Sequence, residues 1–218
     1  MIITIAHHKG GVGKTTVALN VAEELKPDFI IDLDAHDSIS IINQMRDDKL
    51  DVRTVGSTAK PKDELIKLIK ESDNGKLILI DCGGFDSGLT RIAIAASDLL
   101  ITPASDHVTE MIGLTRFQKT LDELSEKTGD KIIAHVLLYK MHSKRTDFSA
   151  MLEFINKREN LTALNSPVSH LAAFDQAMNN GSLGVTKHKS TKYGKAARQI
   201  KALTEEIKSL LEHQKLHG

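Results

Sequence analysis

A single cysteine, Cys82, stands in the 218 residues, so an intrachain disulfide is excluded, in keeping with a reducing compartment. No apolar run approaches the roughly 20 residues that cross a bilayer, and no basic segment precedes the first apolar run, so neither a membrane span nor a signal peptide is expected. The net charge is zero, which excludes a uniformly basic nucleic-acid binder. Internal repeats and low-complexity tracts are absent. What remains is ordinary for a soluble globular domain, with 40% hydrophobic and 27% charged residues.

Apolar runs of strand type alternate with runs of helical period. Strands are expected at residues 2–6, 29–33, 52–55, 77–81, 99–102 and 132–138, with a weaker one at 161–164. Pro103 is expected to break the fifth of these, and Pro61 to open a helix. Ser38 is a candidate helix cap. A last helix is expected over 193–211, with Ala197, Ile200, Leu203, Ile207 and Leu210 on one face. This alternation predicts one domain over residues 1–218, an α/β fold built on a doubly wound, mainly parallel sheet with helices on both faces. No helix-turn-helix domain is expected before the first strand.

Between the first strand and the first helix lies His7-His8-Lys9-Gly10-Gly11-Val12-Gly13-Lys14-Thr15-Thr16. Glycines let successive backbone N–H groups converge on an anion, and the helix start adds unpaired donors and partial positive charge. Lys14 supplies a full charge for phosphates, and the Thr15 hydroxyl suits Mg²⁺. The usual G-x-x-x-x-G-K-[ST] pattern fails because His8 occupies its first glycine position, whereas K-G-G-x-G-K-T-T is matched in full.

Two further stretches end at the same edge of the expected sheet. Leu77-Ile78-Leu79-Ile80-Asp81 has the form of a Walker B strand, whose carboxylate holds Mg²⁺. Ile30-Ile31-Asp32-Leu33-Asp34 sets two carboxylates on one face of a strand, where like charges need a cation or a water network. A simple acidic turn that caps the next helix is the competing reading of the second stretch.

On the loop at 9–16, the chain resembles the ParA/MinD family of deviant Walker A ATPases. The resemblance implies ATP and Mg²⁺ as ligands, with Lys9, Gly10, Gly11, Val12, Gly13, Lys14, Thr15 and Thr16 around the phosphates. It implies that Asp34 activates the attacking water, that Asp32 and Asp81 join Thr15 near the metal, and that Lys9 and Lys14 serve catalysis. Lys9, with no evident role inside its own chain, would reach the ATP of a second copy, so that ATP holds a homodimer together. The family box D-x-D-P-Q is departed from at Ala35 and His36. Tyr139, Lys140 and Pro167 are candidates for the adenine pocket, Tyr139 equally for covering the sheet edge.

Between 186 and 202 the chain carries Lys187, Lys189, Lys192, Lys195, Arg198 and Lys201 and no acid, and Lys144 and Arg145 are candidate extensions of that patch. By resemblance this is where ParA proteins bind DNA without sequence preference, and a solvated helix face is the plain alternative. The implied function is a cytoplasmic, nucleoid-associated partition ATPase whose hydrolysis is stimulated by a centromere-binding, ParB-like adaptor. MinD relatives end in an amphipathic membrane helix, but residues 208–218 hold no aromatic residue and few apolar ones, so no membrane partner is expected. A MinD-like or other cargo-positioning ATPase is one alternative, and an ATP-dependent phosphotransferase or ligase such as a dethiobiotin synthetase is another. An iron–sulfur reductase is excluded, because a bridging cluster needs two cysteines per chain. The histidines read as surface or loop residues, with His8 facing the nucleotide.

Overall fold

The computed structural model describes residues 1–56, 58–180 and 184–217. Eight strands are present among them: β1 (Ile2–Ile5), β2 (Phe29–Asp32), β3 (Val52–Thr54), β4 (Ile78–Asp81), β5 (Leu99–Ala104), β6 (Ala134–Met141), β7 (Leu161–Ala163) and β8 (Val168–Ser169). All pair in parallel, in the order β3-β2-β4-β1-β5-β6-β7, and β8 pairs the end of β6. The helices are α1 (Lys14–Leu25), α2 (Ser38–Gln44), α3 (Pro61–Ile69), α4 (Gly88–Ala95), α5 (Val108–Thr128), α6 (Ser149–Asn156), α7 (Ala172–Asn179) and α8 (Lys195–His217).

Buried on both faces, β1, β2 and β4 are apolar almost throughout, as the centre of a parallel sheet requires. One face is covered by α3, α4, α5 and α6 through Leu65, Ile94, Phe117 and Ile155. The other is covered by α1, α2, α7 and α8 through Val17, Ile39, Phe174 and Ile200. Pro61 sits in the first turn of α3, where its missing N–H costs nothing.

Two local expectations are corrected, and one strand is unforeseen. Pro103 does not break β5, which runs on to Ala104. The Ala6 N–H donates to the Ile101 carbonyl at 3.0 Å, so the odd-numbered residues of β5 face β1. By Pro103, β1 has left the sheet, and the N–H that proline lacks has no acceptor to miss. Ser38 is the first residue of α2 rather than its cap, a position taken by Asp37 in a left-handed conformation (φ 49°). The strand β8, two residues long, is too short to show as a pattern in the sequence.

Candidate active site

The phosphate loop leaves β1 at its carboxyl end and enters α1 through Gly13, whose φ of 102° suits glycine alone. A Cβ at Gly13 would lie 2.2 Å from the Tyr139 ring, so the loop rests directly on that ring. The Lys14 Nζ donates to the Lys9 carbonyl at 3.1 Å, and burial lowers the Lys14 pKa against the opposing pull of Asp81. A cavity of about 470 Å³ lies over the loop. Gly10, Gly11, Gly13, Lys14, Thr15, Thr16 and Asp34 line it, so the loop and the acidic stretch at 30–34 meet there, and Asp81 joins them through its hydrogen bond to Thr15.

The Thr15 hydroxyl donates to Asp81 Oδ2 at 2.8 Å, while Asp81 Oδ1 is buried without a hydrogen-bond partner. Burial raises the Asp81 pKa to about 8, although the Thr15 hydrogen bond works the other way. An orphaned carboxylate oxygen beside a hydroxyl fits a divalent cation that takes its other ligands from phosphate and water. Among the described residues no group of three or more His, Cys, Asp or Glu side chains is set to hold a metal unaided.

Asp32 and Asp34 part company. Fully buried Asp32 accepts hydrogen bonds from the Asp34 N–H (3.0 Å), the Ser40 N–H (3.1 Å) and the Ser40 hydroxyl (3.1 Å). Its carboxylate therefore shapes the turn into α2. Asp34 is half-buried, accepts from the His36 N–H at 3.0 Å and the Ser38 hydroxyl at 3.3 Å, and lines the cavity. Ala35 and His36, the departures from the family box, are exposed.

Several expectations change. The Lys9 ammonium is paired with the Glu110 carboxylate on α5 and donates to the Thr109 hydroxyl at 3.2 Å, so it has an intrachain role. His7 is no surface residue: it is buried, stacks on Phe117 at 5.7 Å, and its Nδ1 accepts the Lys9 N–H at 2.9 Å. His8 meets the Phe117 ring edge-on at 5.1 Å and lies 3.8 Å from Asp86, away from the cavity. Tyr139 is 3% exposed beneath the loop, its hydroxyl bonded to Thr16, and offers no open face to a base. Lys140 lines the cavity and donates to the Gly11 carbonyl at 2.9 Å. Pro167 immediately precedes β8 and does not line the cavity.

In the basic stretch, Lys187, Lys189, Lys195, Arg198 and Lys201 are exposed and Lys192 is half-buried. Lys195, Arg198 and Lys201 share the outer face of α8, opposite buried Ala196, Ala197 and Ile200. The Lys195 ammonium reaches the Ser143 carbonyl at 2.8 Å, which brings Lys144 alongside, whereas Arg145 is paired with Asp106. Asn20 ties this stretch to α1, accepting the Val185 N–H at 2.8 Å and donating to the Thr16 carbonyl at 2.7 Å. No signal in the sequence points to Asn20 or to Glu110, since both act through contacts remote in the chain.

A family model described as an AAA domain matches residues 1–74. Protein ParA of Rhizobium radiobacter is 26% identical over 148 residues, which is 65% of this chain and 65% of that protein, so the match spans just under two thirds of the relative. Among solved structures, apo McdA of Cyanothece superposes with a TM-score of 0.70 at 16% identity, over 94% of this chain and 98% of that one. MinD of Pyrococcus horikoshii, complexed with Mg-ADP, superposes with a TM-score of 0.68 at 17% identity, over 98% of both chains. The sheet is that of a P-loop NTPase. With its K-G-G-x-G-K-T-T loop set on this fold and ParA among the proteins it matches, the chain is similar to the ParA/MinD family of deviant Walker A proteins.

Proposed function

We propose that this protein binds and hydrolyses Mg-ATP, dimerises when ATP is bound, and in that state holds DNA without sequence preference so as to segregate or position it. The observation that carries the reading is the convergence of Lys14, Thr15 and Asp34 on one glycine-lined cavity, with Asp81 hydrogen-bonded to Thr15. The loop N–H groups and Lys14 hold the phosphate chain. Thr15 and Asp81 would hold Mg²⁺, which would supply positive charge against the phosphate oxygens. Asp34, at the cavity wall and without an ion pair among the described residues, orients and deprotonates the attacking water.

Dimerisation is supported by the surroundings of Lys9. Phe85, Val108 and Ile112 are 53%, 71% and 52% exposed. Val108 and Ile112 flank the Glu110 that holds Lys9, one turn apart on α5. Apolar side chains around a loop cation suit an interface between copies that ATP completes. Exposed cations on two chain segments, without an acid between 186 and 202, suit the phosphates of DNA. A ParB-like adaptor is the expected stimulator of turnover. Co-sedimentation with DNA and with liposomes, each with and without ATP, tests the reading. DNA retention only with ATP, abolished in Lys189→Glu/Lys201→Glu, supports it, and retention on liposomes instead favours a membrane-positioning ATPase.

One observation favours a second reading. A cavity of about 600 Å³, walled by Leu33, Ala35, Leu89 and Ile92, adjoins the phosphate site through Phe85, and a phosphotransferase or ligase would need such room for its acceptor. ATP turnover in the absence of any small acceptor decides against it.

A further inference from the structure

Two consecutive residues at the end of β6, Tyr139 and Lys140, both reach the phosphate loop. A regular strand forbids this, because neighbouring side chains point to opposite faces. Leu137 and Tyr139 pack with α1 and α8, while Ala134, Val136 and Leu138 pack on the opposite face. Continued alternation would return Met141 to the side of Tyr139, yet Met141 lies with Leu138. The phase slips at Lys140, which has a φ of 59°, and the pairing with β8 shifts register between Tyr139 and Met141. That conformation is unfavourable for lysine and is not needed to keep an ammonium in water. What it achieves is the contact: Lys140 Nζ sits 2.9 Å from the Gly11 carbonyl.

The Gly11 carbonyl and the Val12 N–H belong to one peptide group. A cation on the carbonyl fixes the plane of that peptide and polarises its N–H. Lys14 does the same earlier in the loop, since the Lys9 carbonyl it holds shares a peptide with the Gly10 N–H. Gly11, at a φ of 76°, has no side chain of its own to brace that peptide, and nothing lies within 4 Å of where its Cβ would be.

We propose that Lys140 is a positioning residue for the phosphate chain of the nucleotide. It holds the Gly11–Val12 peptide so that the Val12 N–H donates into the cavity, and the left-handed turn of β6 exists to bring it there. Its target is the phosphate loop and not the base. The inference rests on the reading of the cavity as a nucleotide site.

Titration of fluorescent ADP and ATP analogues into the wild type, Lys140→Gly and Lys140→Arg, alongside thermal melts, tests it. Lys140→Gly is expected to melt at or above the wild-type temperature, because glycine is at ease at this φ. It is expected to bind both analogues about tenfold more weakly, the loss typical of a charge-assisted hydrogen bond. Lys140→Arg, which still donates, stays within about threefold of the wild type. Wild-type affinity in Lys140→Gly overturns the proposal. So does a loss confined to the ATP analogue, which would make Lys140 a direct contact of the terminal phosphate. A wild type that binds neither analogue overturns the nucleotide reading itself, a failure seen without any variant.

Discussion

The Lys9 ammonium is paired with the Glu110 carboxylate across the first turn of α5, with side-chain exposures of 40% and 10%. The lysine expected to reach a second copy's ATP is thus already engaged within its own chain, and the pair must open before it can cross. Glu110→Gln is therefore expected to lower the ATP concentration for half-maximal dimerisation by about fivefold, for a partly exposed pair worth about 1 kcal/mol. Light scattering against ATP concentration measures this midpoint. An unchanged midpoint means that Glu110 does not restrain Lys9, and adding Lys9→Ala should erase the gain.

The turn after β4 touches the phosphate loop backbone to backbone. A Cβ at Gly84 would lie 2.9 Å from Gly10 Cα and 3.1 Å from Gly10 N, neither of which can swing aside. Gly84→Ala is expected to cost about 1–3 kcal/mol in urea unfolding and to weaken nucleotide binding. Gly88→Ala, whose Cβ meets nothing within 4 Å, serves as the control and should do neither.

His7 gives a pH dependence whose sign is set by burial. Burial first, then Lys14, His8 and Lys9, lowers its pKa from 6.5 to about 3. Between these values the folded state binds fewer protons than the unfolded one. The stability His7 contributes is thus present above pH 6.5 and is lost as the pH falls toward 3. The loss is at most about 1.4 kcal/mol per pH unit. Urea melts between about pH 6.5 and 4.5 should show a shallower decline for His7→Asn than for the wild type, and equal slopes would contradict a buried, neutral His7.

The basic face should reveal itself through salt. In Lys189→Glu/Lys201→Glu, DNA affinity in the ATP state is expected to fall. The slope of log affinity against log salt should flatten by about 0.9 for each DNA phosphate that the variant no longer neutralises. ATP affinity should not change, because neither lysine lines the cavity. An unchanged slope would place the DNA elsewhere on the surface.

Much of this arrangement is legible in the sequence, for physical reasons. Apolar runs ending in Asp34 and Asp81, and a glycine loop between strand and helix, are local patterns, and a parallel sheet gathers strand ends at one edge. What stays hidden depends on contacts between distant segments. Pro103 lies inside β5 only because β1 ends before it. Tyr139 reads equally as a base contact or a cover for the sheet edge until Gly13 is seen resting on it. His7, two residues before a loop lysine, gives no hint that it is stacked on Phe117, remote in the chain. The spacing alone sets the two acids of residues 32–34 on one face, and only the fold shows three hydrogen bonds committing Asp32 to the turn while Asp34 stays at the cavity.

The most direct measurement is the mass in solution of the wild type and Lys9→Ala, by light scattering with Mg-ATP, with Mg-ADP and with neither. The account predicts a doubling of mass for the wild type with Mg-ATP alone, and a monomer throughout for Lys9→Ala. Equal dimerisation of both proteins, or a wild-type dimer that ignores the nucleotide, would contradict it.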